Sequence, residues 1–135
     1  MIIKRDYYLQ QLISSKSNNL IKIVTGIRRS GKSFLLFNLF HNHLIETGIN
    51  EDHIIEIALD DRLNKNLRDP DVILQHIHER IVDNKLYYII LDEVQMIDEF
   101  TDVLNSLLHI RNADVYVTGS NSRFLSKDVV TCLLY

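Results

Sequence analysis

Gly26, Gly31, Lys32 and Ser33 stand in the order Gly-x-x-x-x-Gly-Lys-Ser within the stretch GIRRSGKS, residues 26–33. The 135-residue chain has only four glycines, and two of them flank this one loop. Without a Cβ at its turns, a backbone can close tightly around a bound group. Between a strand and a helix, such a loop turns its N–H groups and the positive end of the helix toward a phosphate chain. Gly26 and Ile27 open that cup. The amides of Arg28, Arg29, Ser30, Gly31, Lys32, Ser33 and Phe34 line it. Lys32 supplies a point charge for the β- and γ-phosphates, and Ser33 a hydroxyl for Mg²⁺. The side chains of Arg28 and Arg29 either touch phosphate or base, or stay solvated and paired with acids.

Two carboxylates form a second element. The run YYIILDE at 87–93 ends in Asp92 and Glu93. In a parallel α/β sheet, ligands gather at the carboxyl ends of the strands. A strand parallel to the one before the glycine loop therefore delivers Asp92 to the same edge. There a carboxylate is a hard ligand for a hard cation, directly or through water. Glu93 then reaches a water aimed at the γ-phosphate. Alone, two acids after a strand are an ordinary turn; the phosphate loop upstream gives them a shared purpose.

A third element is VYVTGSNS at 115–122, whose polar end holds Thr118, Ser120, Asn121 and Ser122. One of these side chains can sit between water and γ-phosphate. Ser120 is the first choice and Asn121 the second. A serine-rich turn before a helix is the plainer explanation.

These residues need a scaffold that brings three strand ends together. Alternating apolar runs predict one: strands over 20–26, 53–61, 86–93 and 114–120, the third apolar on both faces. Between them lie helical patterns at 32–48, 68–84 and 97–111, with a short helix at 6–15 and the start of another within 121–135. Gly48 is a helix stop, Asp69 a cap and Pro70 a first helical residue. Inward-facing residues are expected at Tyr7, Tyr8, Leu12 and Ile13, then Val72, Ile73, Ile77 and Ile81, then Ile97, Phe100, Val103, Leu104, Leu107 and Leu108. The fold class is α/β: a three-layer αβα sandwich around a mostly parallel sheet.

Composition narrows the function. Apolar residues make up 46% and charged residues 24%, an ordinary globular balance. The net charge of −3 is unevenly spread. Residues 1–33 carry seven basic side chains and one acid; residues 34–135 carry eight basic and seventeen acidic. Any basic surface is expected near the glycine loop, and a domain-wide nucleic-acid footprint is not indicated. No signal peptide or membrane span is read. A lone Cys132 fits a reducing, cytoplasmic setting. The run NKNL at 64–67 lacks the acid a guanine reader needs, so GTP is disfavoured. His41/His43 and His76/His78 are two apart on helices, so neither pair converges on a metal.

Together, GIRRSGKS, YYIILDEVQ and VTGSNS resemble the AAA-type ATPases of bacteria and archaea. The likeness is to the group whose motifs read G-x-R-R-x-G-K-[ST], L-D-E-[IV]-Q and T-G-S-N-S. It includes the opening KRDYYLQQL and extends over residues 1–131. The resemblance implies a P-loop NTPase fold with an additional strand and the order 5-1-4-3-2. It implies Mg²⁺-ATP bound through Walker A and Walker B motifs. Lys32 and Ser33 would hold phosphate and metal, Asp92 would support the metal, Glu93 would activate water, and Ser120 or Asn121 would act as sensor. The expected organisation is one ATP-binding domain over 1–135, with a helical lead-in at 1–19 and a core at 20–135. DVVTCLLY at the end departs from the group, so a C-terminally incomplete core with the fifth strand missing is expected, its edge open to a partner protein or to self-association. Hydrolysis of ATP to ADP and phosphate is the first reading. The alternative is a nucleotide-gated binding switch with negligible turnover. A small-molecule kinase is weaker, because residues 94–111 hold only Arg111 where an arginine-rich lid would lie.

Overall fold

The structure, a computed structural model, describes residues 9–14, 16, 20–26, 32–119 and 129–134. Its strands are β1 Ile21–Gly26, β2 Ile54–Ala58, β3 Tyr87–Asp92, β4 Ala113–Gly119 and β5 Val129–Leu134. They form one sheet in the order β2-β3-β4-β1-β5, with every neighbouring pair parallel. That is the 5-1-4-3-2 arrangement implied by the resemblance. The helices are α1 at 9–14, α2 at 32–46, α3 Pro70–Arg80 and α4 Phe100–Leu108.

The missing fifth strand is a correction. β5 runs alongside all of β1, from Ile21 opposite Val129 to Gly26 opposite Leu134. The expected helix in 121–135 is replaced, over 129–134, by this strand. Its first three residues, Val129, Val130 and Thr131, are β-branched and favour extended backbone. β5 also covers the edge of β1 that the sequence reading left open.

Strand alternation splits the core in two. On one face, Val24, Ile90 and Tyr116 pack against Leu12 of α1 and Leu35, Phe40 and Leu44 of α2. On the other, Ile23, Ile89 and Val117 pack against Ile73 and Ile77 of α3 and Val103 and Leu107 of α4. All six residues of β3 are buried, as a central strand covered by helices on both faces requires.

α2 is not uniform. Lys32–Phe34 is α-helical, Leu35–Phe40 is π-helical and His41–Glu46 is α-helical again. Leu35 and Phe40, five residues apart, are both fully buried. At 3.6 residues per turn they would point in quite different directions; the i→i+5 bonding of a π segment brings them to one side. Phe34 and Ile45, by contrast, are exposed. The helix ends at Gly48, whose φ of 96° is a conformation that glycine adopts without strain.

α3 begins as the sequence implies. Asp69 accepts from the amides of Asp71 and Val72, and Pro70 follows it. Ile73 and Ile77 are buried, whereas Val72 is exposed. α4 starts later than expected. Val94–Met96 is a separate 3-10 turn, and Glu99 adopts a left-handed conformation before Phe100. Of the expected inner face, Ile97, Val103, Leu104 and Leu107 are buried.

Candidate functional site

β1 and β3 are not neighbours; β4 lies between them. Both run in the same direction, so both end at the same edge. β1 ends at Gly26, the first residue of the loop, and the chain is described again from Lys32, which opens α2. One residue later, Ser33 reaches across to the tip of β3. Its hydroxyl lies 2.9 Å from each carboxylate oxygen of Asp92. The second residue of the helix and the last of a strand two positions away in the sheet thus meet at one point.

Between them, the tip of β4 supplies Thr118. Its hydroxyl donates to Asp92 Oδ1 at 2.5 Å and accepts the Glu93 amide at 2.8 Å. Thr118 is fully buried, and Asp92 and Glu93 are only 4% and 7% exposed. The Asp92 carbonyl accepts from the Leu59 amide at 3.0 Å, fixing the tip of β3 to the end of β2. Burial raises the Asp92 carboxyl above its ordinary value. The hydroxyls of Thr118 and Ser33 oppose the rise, and the charges of Glu93 and Asp60 add to it. A buried carboxylate flanked by two further acids gains from a cation.

Glu93 turns the chain. Its φ and ψ are both 55°, the left-handed region that a side chain with a Cβ rarely occupies. Strain of this kind persists where surrounding contacts hold it in place, and it gathers at working sites. Here the Thr118 hydroxyl holds the Glu93 amide, and Val94, fully buried, anchors the following turn. Gln95 folds back so that its Nε2 donates to Glu93 Oε1 at 2.7 Å.

The structure therefore brings together Ser33, Asp92 and Glu93. Gly26 and Lys32 take their places at the ends of β1 and α2. Phe34 lies in the first turn of α2 with a half-exposed ring. Ile27, Arg28, Arg29, Ser30, Gly31, Ser120 and Asn121 lie outside the described residues. Thr118, one of the polar residues that end its strand, occupies this point, whereas the sequence favours Ser120 and Asn121. Gln95 carries no separate signal in the sequence, although it is part of the LDEVQ motif that carries the resemblance.

Lys22 belongs elsewhere. Counted above within the basic N-terminal third, it is fully buried and paired with Asp114, with its ammonium 4.7 Å from the centre of the Tyr116 ring. It lies near the start of β1, away from the loop, and contributes nothing to a basic surface. A pocket of about 310 Å³ at that same end is lined by Leu20, Leu107, His109, Arg111 and Asp114, among others, and does not include Asp92 or Glu93. Among the described residues no group of three His, Cys, Asp or Glu side chains could hold a metal ion. His41 instead bridges Glu56 and Glu51. Among the described residues no helix is long and apolar enough to cross a membrane.

Comparison with known proteins gives a consistent picture. An uncharacterised protein of Haemophilus influenzae is 34% identical over 98% of the chain, and one of Methanocaldococcus jannaschii is 32% identical over 98%. The chain spans 33% and 27% of those proteins, about a third of the curated relatives it matches. Among solved structures, a DNA polymerase III gamma subunit-related protein of Thermotoga maritima superposes with a TM-score of 0.67 at 11% identity, over 98% of this chain and 46% of that one. At that identity the likeness shows a shared fold and nothing finer. A family model described as an AAA domain matches residues 18–134, and the chain therefore belongs to the AAA_14 family of AAA domains.

Proposed function

We propose that this domain binds Mg²⁺-ATP at the loop 26–33 and hydrolyses it to ADP and phosphate. The observation that carries the reading is the contact of the Ser33 hydroxyl with both oxygens of Asp92 at 2.9 Å. It sets a hydroxyl and a carboxylate, both hard oxygen donors, side by side at the start of α2. The donor set fits Mg²⁺. Asp92 is buried with two acids nearby, so its charge is poorly compensated by the protein alone. A bound Mg²⁺ neutralises charge on the phosphates and holds them in line.

The remaining work falls to the chain. Lys32 and the loop amides hold the phosphates. Glu93, at the head of its left-handed turn, accepts a proton from the attacking water. Ser120 or Asn121 senses the γ-phosphate. The switch without turnover draws part of its support from an expected lack of the fifth strand, and β5 removes that part.

The test is phosphate release by the purified protein with Mg²⁺-ATP. Lys32→Ala should abolish both nucleotide binding and release. Glu93→Gln should retain binding and lose roughly 100-fold or more of the rate, the scale of a general base. Binding by calorimetry that is unchanged in Lys32→Ala would refute the assignment of the loop.

A further inference from the structure

One group in the carboxylate turn has half of its bonding capacity unused. Gln95 sits in the Val94–Met96 turn, between fully buried Val94 and nearly buried Ile97. The turn is closed by the Met96 amide on the Glu93 carbonyl and the Ile97 amide on the Val94 carbonyl, both at 3.0 Å. This geometry aims the Gln95 side chain back at Glu93. A carboxylate can only accept, so the amide nitrogen must face it, as the 2.7 Å contact records. The amide oxygen then occupies the other arm. It is buried and makes no hydrogen bond among the described residues.

A buried acceptor left without a donor costs about 1–3 kcal/mol. The turn holds this acceptor on the same side chain that grips the base. We propose that Gln95 is a catalytic residue of the reaction described above: its Oε1 is the second acceptor for the attacking water. The proposal rests on the hydrolytic reading of Glu93. The water donates one O–H to the Glu93 carboxylate and the other to Gln95 Oε1. With both protons held, the two lone pairs of the oxygen face away from these acceptors, and one of them is presented to the γ-phosphorus. The water oxygen forms the new P–O bond as the bond from the γ-phosphorus to the β,γ-bridging oxygen breaks. That electron pair leaves with ADP. The proton taken up by Glu93 passes to solvent. Through Nε2, the same amide keeps the carboxylate from turning away, so one side chain orients both base and nucleophile.

The experiment compares the parent with Gln95→Met and Gln95→Glu. Methionine keeps length and volume but neither hydrogen bond. Phosphate release should fall roughly 10- to 100-fold in kcat, with KM and the calorimetric Kd for Mg²⁺-ATP within about threefold of the parent. Glutamate keeps an acceptor for water and sets a second negative charge against Glu93. The acid limb of its pH–rate profile should move to higher pH, and its rate at alkaline pH should exceed that of Gln95→Met. A residue that only props the turn would lower thermal stability and ATP affinity together and leave the pH limb where it is; that pattern overturns the proposal. So does Gln95→Met turning over at the parental rate. A parent no faster than Lys32→Ala removes the hydrolytic reading itself, and this role with it.

Discussion

Thr118 and Asp92 stand opposite each other at the tips of neighbouring strands, with the threonine hydroxyl 2.5 Å from Asp92 Oδ1. The register that pairs Leu91 with Val117 places the next residue of each strand level. One hydroxyl therefore fixes the rotamer of the carboxylate on one side. On its other side it accepts the amide that begins the left-handed turn at Glu93. The two acids have different tasks and are aimed by the same oxygen.

Replacement of Thr118 tests this coupling. Thr118→Val keeps the shape and removes both hydrogen bonds, leaving the Glu93 amide buried without an acceptor. A stability loss of about 1–3 kcal/mol is expected in urea unfolding. Phosphate release should fall further than stability alone accounts for, because Asp92 and Glu93 both lose their guide. Thr118→Ser, which keeps the hydroxyl, should restore most of the rate. A valine variant with parental turnover would separate Thr118 from the site.

What the sequence discloses here is local in character. The phosphate loop is eight consecutive residues with an obligatory pattern, and the strand that carries Asp92 is a single apolar run. Both could be read without knowing what lies beside them. Thr118 meets Asp92 across 26 residues of chain, and no local pattern separates it from Ser120 or Asn121. Its partner could be recognised only once the parallel register of β3 and β4 was known. The π segment likewise comes from the demands of packing, since it brings Leu35 and Phe40 to one face. β5 is a different kind of miss: Val129–Thr131 reads as strand, but the expectation of a helix beginning within 121–135 displaced the local signal. Lys22 looked like surface because lysine is almost never fully buried unless paired, and its partner Asp114 lies 92 residues away.

That buried pair yields the next prediction. Lys22 is fully buried against Asp114, and the second Asp114 oxygen accepts the Tyr116 hydroxyl at 2.7 Å. Burial lowers the Lys22 pKa, while Asp114 pulls it back up by hydrogen bond and charge. Removing one partner leaves an uncompensated charge in the core. Asp114→Ala should lower the unfolding free energy by about 3–5 kcal/mol. The double variant Lys22→Met with Asp114→Asn keeps an acceptor for Tyr116 and removes both charges, so it should recover most of that loss. Urea unfolding followed by circular dichroism reads both. A double variant as unstable as Asp114→Ala would show that the ionic attraction itself is indispensable.

His41 makes the stability of the domain pH-dependent. It stands at the start of the last α-helical part of α2, with Nδ1 2.9 Å from Glu56 and Nε2 2.6 Å from Glu51. Burial alone would lower its pKa, but the hydrogen bonds and charges of the two carboxylates outweigh it and the net shift is upward from 6.5. The folded state therefore holds the His41 proton more tightly than the unfolded chain does. The stability contributed is fully present below 6.5 and is lost as the pH rises through the higher folded value. Glu56 is shifted upward as well, by burial first, so its own protonation favours the folded state on the acid side and does not reverse the sign. Raising the pH from about 6 to about 9 should thus lower the thermal midpoint of the parent by a few degrees more than that of His41→Gln, an effect on the order of 1 kcal/mol at this size. Equal slopes for the two proteins over that range would mean that the imidazole gains nothing from its two carboxylates.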